Sequence, residues 1–169
     1  LIRSLELQDV VVIGHSMGGL VATSLAAEPD MPVTGLILSS THLGFSLPPG
    51  RPLMPRYATR IERLETKGSD LEYGLERARR NTPDGTSDEI VSFLADIALD
   101  IRLEQIRDGG RMSQEASNAA FTGMIKVPVL ILSGEKDTVI SGEMHKALTS
   151  AFPTAEQIVF PDAGHASYA

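Results

Sequence analysis

Four short stretches of the chain are apolar and hardly interrupted: Val10–Ile13 (VVVI), Val33–Ser39 (VTGLILS), Val127–Ser133 (VPVLILS) and Glu156–Phe160 (EQIVF). Aliphatic and β-branched runs without polar alternation are the pattern of strands buried on both faces of a parallel sheet. A helical pattern runs from Met17 to Glu28 and is stopped by Pro29; another spans about Gly142 to Ala151. Strand, helix and strand in such close succession make a βαβ unit, which requires parallel strands. Leu1 to Leu7 reads as the last turns of a further helix, with Leu1, Ile2 and Leu5 on one side.

The middle of the chain has a different rhythm. A proline-rich loop, SLPPGRPLMP, leads into helical patterns around 55–67, 70–81 and 88–107, with a weaker one at 112–122. In the third, Ile90, Phe93, Leu94, Ile97 and Ile101 share one helical face. The expected fold class is therefore α/β. Residues 1–40 and 126–169 form a parallel-sheet core, and 41–125 form an all-helical insertion between two of its strands.

Composition narrows the classes of function. The 169 residues are 42% hydrophobic and 22% charged, the balance of a folded domain. A net charge of −7 repels phosphate backbones and argues against nucleic acid as a partner. No apolar window reaches the length of a membrane span, so no membrane insertion is expected. With no cysteine there is neither a disulfide framework nor a thiolate nucleophile; the redox compartment stays open, with the cytoplasm as default. Histidines and acids show no metal-ligand spacing, and no cofactor or metal is expected.

Chemistry enters at Gly14-His15-Ser16-Met17-Gly18, a Gly-x-Ser-x-Gly with a strand before it and a helix after it. A strand turning directly into a helix forces the serine into a strained conformation that lifts its hydroxyl clear of the sheet. The helix then passes so near the strand that positions two before and two after the serine must be small, as Gly14 and Gly18 are. The amide N–H of Met17, at the start of that helix, is placed to hold an oxyanion. A plain βα turn with a capping serine is the other reading of the pentapeptide. A serine nucleophile needs a base, and the base needs an orienting acid. Asp137 follows the strand Val127–Ser133 in SGEKDTVI, and His165 follows the last strand in FPDAGHA. All three residues thus sit beyond the carboxyl ends of parallel strands, where open α/β sheets carry their sites.

These motifs resemble those of the α/β-hydrolase family, in the subgroup with a helical cap. GHSMGG matches the nucleophile elbow, VPVLILSGEKDTVI the acid strand and loop, and FPDAGH the histidine loop, with the insertion as cap. The resemblance implies Ser16 as nucleophile, His165 as general base and then acid, and Asp137 as its orienting carboxylate. It implies a small-molecule ester, thioester or lactone as substrate, as in carboxylesterases and enol-lactonases. Hydrolysis of carbon–carbon bonds and cofactor-free perhydrolysis use the same three residues, and a non-catalytic ligand-binding relative is the reading from another class. In that family the elbow strand lies mid-sheet, and the second oxyanion donor comes from a loop after an earlier strand. The chain starts at Leu1, nine residues before the elbow strand at Val10. It is accordingly expected to be part of a hydrolase of ordinary length, or to be complemented by another chain.

The remaining candidates have plainer readings. His15 is expected in the pocket wall or core, His42 in a structural role after the second strand, and His145 in solvent. Glu135 is an alternative acid to Asp137, and Asp162 is a loop residue. Ten of the eleven arginines fall between Arg51 and Arg111, interleaved with twelve acids. Pairs such as Glu76 with Arg80 favour a solvated helical face; the bolder reading is a lid that senses the carboxylate of a substrate.

Overall fold

A computed structural model describes the whole chain, residues 1–169. Four parallel strands, β1 (Val10–His15), β2 (Val33–Ser39), β3 (Val129–Gly134) and β4 (Glu156–Phe160), lie side by side in chain order. β3 starts two residues later than its apolar run because Pro128 has no N–H to give; its carbonyl accepts from Leu36 instead. Helix α1 (Met17–Ala27) crosses from β1 to β2, and α6 (Gly142–Ala151), numbered in chain order, crosses from β3 to β4. Ala22 of α1 and Leu148 of α6, with Phe152 just beyond it, pack on Leu36, Leu38 and Ile131 of the central strands, which are almost fully buried. Burying such side chains is worth roughly 1.5–3 kcal/mol each.

The other sheet face carries no helix, and here the expectation of strands buried on both sides fails. Val11 and Ile13 of β1 are 55% and 67% exposed, and every residue of β4 is exposed. The cause is position: β1 and β4 are the outer strands, so each has one open edge, and alternation turns Val11 and Ile13 to the uncovered face. Leu1–Leu7 forms hydrogen-bonded turns and no regular helix.

Between β2 and β3 come α2 (Pro55–Lys67), α3 (Leu71–Asn81), α4 (Asp88–Leu99) and α5 (Leu103–Glu115). The pattern at 88–107 is two helices: at Arg102 the backbone N–H turns to the side chain of Gln105 at 2.8 Å, which starts α5 afresh. The weaker pattern at 112–122 is the end of α5 followed by two 3₁₀ turns, Asn118–Ala120 and Thr122–Met124. In α4 the buried stripe is Val91, Leu94, Ala95 and Ala98, packed on α3, while Phe93 and Ile97 face outward. Small residues decided this: Gly74 of α3 comes so near that a Cβ on it would sit 2.7 Å from the Ala95 carbonyl. No helix of the chain is long and apolar enough to cross a membrane.

One buried histidine fastens this helical insertion to the sheet. His42, just past β2, accepts the N–H of Gly44 on Nδ1 at 3.0 Å, so Nε2 carries the proton and donates to Ser113 Oγ of α5 at 3.3 Å. Burial, then the charges of Arg56 and His165, lowers its pKa from 6.5 to about 4. Below pH 6.5 the unfolded chain takes up a proton that folded His42 refuses, so stability must fall with pH until about 4. The loss from this group is on the order of 3 kcal/mol. Urea unfolding above pH 6.5 and near pH 4 will show a smaller acid loss in His42→Gln than in the parent. An equal loss in both would show that His42 does not titrate this way.

Candidate active site

The elbow is built by register. β1 pairs with β2 so that His15 lies opposite Ser39, and the ladder continues one residue further, with the Ser16 N–H donating to the Ser39 carbonyl at 2.9 Å. The chain then turns at once into α1, which leaves Ser16 at φ 51° and ψ −122°. A left-handed φ on a serine costs on the order of 1–3 kcal/mol, and the surroundings hold it there. Thr41 donates its hydroxyl to the Ser16 carbonyl from below. Gly14 is the residue that close packing demands, since a Cβ there would lie 2.6 Å from the Cβ of Ala22, whereas Gly18, expected to be small for the same reason, is exposed with open space where a Cβ would go.

Two loops bring the partners. Asp137 follows β3, and its Oδ1 accepts the amides of Val139 at 2.7 Å and Ile140 at 3.0 Å. His165 follows β4, and the two loops are stitched together by Lys136 N–H on the Ala163 carbonyl at 2.8 Å. Gly134 and Gly164 touch so closely that a Cβ on Gly134 would come 2.2 Å from the Gly164 carbonyl. The result is one hydrogen-bonded line. His165 Nδ1 meets Asp137 Oδ2 at 2.9 Å, and His165 Nε2 meets Ser16 Oγ at 2.9 Å. An ionised carboxylate only accepts, so Nδ1 carries the proton and Nε2 is free to accept the serine's. Burial opposes the charge on Asp137, but the bonds from His165 and from the Ile140 and Val139 amides outweigh it and hold its pKa below the ordinary value. The side chains of His165 and Asp137 are 7% and 5% exposed, so the pair is shielded from water.

The structure thus brings together Ser16, Asp137 and His165, the three residues singled out from the sequence, with Met17 as first residue of α1 beside them. Amides in a helix's first turn have no intrahelical partner, which leaves the Met17 N–H free for an incoming oxygen. The Met17 side chain lies against Gly109 of α5, so the insertion reaches the elbow.

The other candidates separate clearly. Glu135 is exposed and reaches only the amide of Asp162 at 3.4 Å, so it is no acid for His165. Asp162 pairs with Lys136 at 2.6 Å in the same outer loop. His145, expected in solvent, is half-buried because it lies one turn from buried Leu148 on the inner side of α6. His15 packs its ring on that of His165, with centroids 4.9 Å apart, and burial followed by the charge of His165 lowers its pKa to about 4. Sequence reasoning missed two supports. Tyr168 stands edge-on to His15 at 5.0 Å, and nothing in the chain's last residues signals it. Thr41 could have been found, since parallel pairing of the first two strands puts the residues after Ser39 beneath the elbow.

Comparison with known proteins fits this geometry. The family model described as serine aminopeptidase, S33, matches residues 3–168. The AB hydrolase superfamily protein YisY of Bacillus subtilis (strain 168) is 25% identical over 170 residues, covering 99% of this chain and 63% of that protein. Among solved structures, an esterase from Exiguobacterium antarcticum superposes with a TM-score of 0.82 at 20% identity, covering 99% of this chain and 63% of its own. The enol-lactonase from Burkholderia xenovorans LB400 does so with a TM-score of 0.76 at 20% identity, covering 97% and 61%. The chain therefore spans about three-fifths of the length of these relatives. With a matching model from end to end and the parallel sheet, elbow and loops in place, the chain belongs to the serine aminopeptidase S33 family of α/β-hydrolases.

Proposed function

We propose that the protein is a serine hydrolase that cleaves a small-molecule ester, thioester or lactone through an acyl-enzyme. The observation that carries this reading is the line Ser16–His165–Asp137, with 2.9 Å at both links and the serine at a strained elbow. Ser16 Oγ attacks the carbonyl carbon as its proton passes to His165 Nε2. The carbonyl oxygen takes the negative charge and is held by the Met17 N–H. His165, now a cation steadied by Asp137, gives its proton to the departing oxygen or sulfur, and the acyl group stays on Ser16. Water then attacks the ester carbon with His165 again as base, releasing the acid and restoring the serine. His15, kept neutral by burial, lets the imidazolium form without a second positive ring against it.

In this reading residues 1–40 and 126–169 are the catalytic core, and 41–125, with α2 to α5, are a cap over it. The unpaired outer edge of β1 supports one more element of the proposal, that further strands of the same fold lie against Val10–His15. An exposed flat apolar edge strand invites aggregation, and folded proteins cover such edges.

A fluorophosphonate probe will label Ser16, and Ser16→Ala will lose both labelling and about 10⁴-fold or more of turnover. Turnover surviving in Ser16→Ala would end the hydrolase reading. Asp137→Asn, which lets His165 take the wrong tautomer, will lower kcat by roughly 10⁴-fold with the elbow intact. A loss below about tenfold would remove Asp137 from the mechanism. Hydrogen exchange tests the edge: amides of Val11 and Ile13 will be protected in the assembled enzyme and exchange fast in this chain alone, whereas fast exchange in both would leave β1 at the rim.

A further inference from the structure

The arginines of the insertion differ in surroundings that the sequence does not distinguish. Arg63, Arg107 and Arg111 meet carboxylates, with Arg63 on Asp70 at 2.8 Å, Arg107 on Glu65 at 3.8 Å and Arg111 on Glu115 at 3.5 Å. Arg79 and Arg80 stand in solvent. Arg56, Arg60 and Arg77 are half-buried, and none of them takes part in an ion pair. Arg60 donates to the hydroxyl of buried Tyr73 at 3.1 Å, while its Nε is buried with no partner. Arg77 has no side-chain partner, and its guanidinium is pushed down to about 10 by burial first and then by the charge of Arg60.

Placement connects these cations to the reacting serine. Tyr73, Arg77 and Asn81 recur at helical spacing along α3, on one side of it. That side ends at the catalytic loops: the Asn81 carbonyl accepts the N–H of Ala166, the residue after His165, at 2.8 Å. Asn81 Oδ1 is the other buried side-chain atom of the chain with no partner, so one orphaned atom belongs to Arg60 on α2 and the other to the side of α3 that carries Arg77. On the α2 side, Arg56 stands one turn from Arg60 and near enough to His42 to depress its pKa. Neighbouring Tyr57 lies against Gly110, and Gly109 against Met17.

Half-burying two guanidinium groups near each other is unfavourable unless a negative charge joins them, and no carboxylate reaches ion-pair distance of either; exposed Glu76, beside Arg77 on α3, acts on it only from further off. A planar guanidinium fork fits a carboxylate with two parallel hydrogen bonds. The Asn81 amide, turned over, would add an N–H donor. We propose that Arg60 and Arg77, with Asn81, hold an ionised carboxylate of the substrate, so that the ester or lactone offered to Ser16 belongs to a dicarboxylic acid. The assignment rests on the hydrolase reading for the ester half and on the arginines alone for the acid half.

The test uses p-nitrophenyl glutarate and its methyl ester, which differ only in the remote charge, on the complete protein. The free acid will be favoured by roughly tenfold or more in kcat/KM. Arg77→Gln will abolish most of that preference while changing the methyl ester by less than about twofold, and Arg77→Lys will restore part of it. Unchanged fluorophosphonate labelling of Ser16 in Arg77→Gln will show that the fold survives. Equal losses on both esters, or a parent that prefers the methyl ester, would overturn the subsite. Should Ser16 not label and neither ester be cleaved, hydrolysis fails. The subsite is then judged by glutarate, which must raise the Tm of the parent and leave that of Arg77→Gln unmoved. Stabilisation by inorganic phosphate with none by glutarate would refute the carboxylate.

Discussion

The arrangement depends on a single backbone hydrogen bond placed where a strand ends. Ser16 N–H on the Ser39 carbonyl carries the β1–β2 ladder one residue into the turn, so the serine cannot relax as α1 begins. A relaxed serine there would cap the helix through its side chain, whereas Ser16 makes no such cap and keeps its hydroxyl for His165. The strain is held by neighbours that must be small or hydrogen-bonded: Gly14 beneath α1, and Thr41 under the Ser16 carbonyl. The sheet's parallel register therefore acts directly on the presentation of one oxygen atom.

Around that atom the polar groups are divided by what they bond. Asp137 is satisfied by two amides and a ring N–H, which makes it an anchor rather than a proton carrier. His15 and His42 are both kept neutral by burial, so neither sets a second positive ring beside His165. Arg60 and Arg77 are the exception, because both stay charged near neutral pH and neither forms an ion pair with a carboxylate. A polar group left unbalanced in a half-buried lining is where a ligand has most to offer.

Strand and helix periods were legible in the sequence because they reflect local chemistry: unbroken aliphatic runs, Pro29 as a stop, Pro128 as a late start. Ser16, Asp137 and His165 were legible too, since each follows an apolar strand and parallel strands put such loops on one edge. What local pattern could not reveal was which face of an element meets what. Phe93 and Ile97 satisfy a helical stripe yet face outward, because Gly74 and Ala95 let two helices approach along the other side. Val11 and Ile13 look like interior residues and are exposed, because alternation on an outer strand turns them to the sheet face that no helix covers.

Charge shows the same division. Eleven arginines and their intervals are a property of the chain, and by themselves they describe a solvated helical surface. Only the packing of α2 against α3, and of α3 against the loop of His165, separated those with a carboxylate from Arg60 and Arg77 without one. The sequence by itself determined the parallel βαβ order, the elbow and the three side chains beyond the strands, since short-range sterics and strand polarity dictate them. The tertiary structure alone decided the 2.9 Å links among those side chains, the exposed edge and the unbalanced cations, since each depends on distances between segments far apart along the chain.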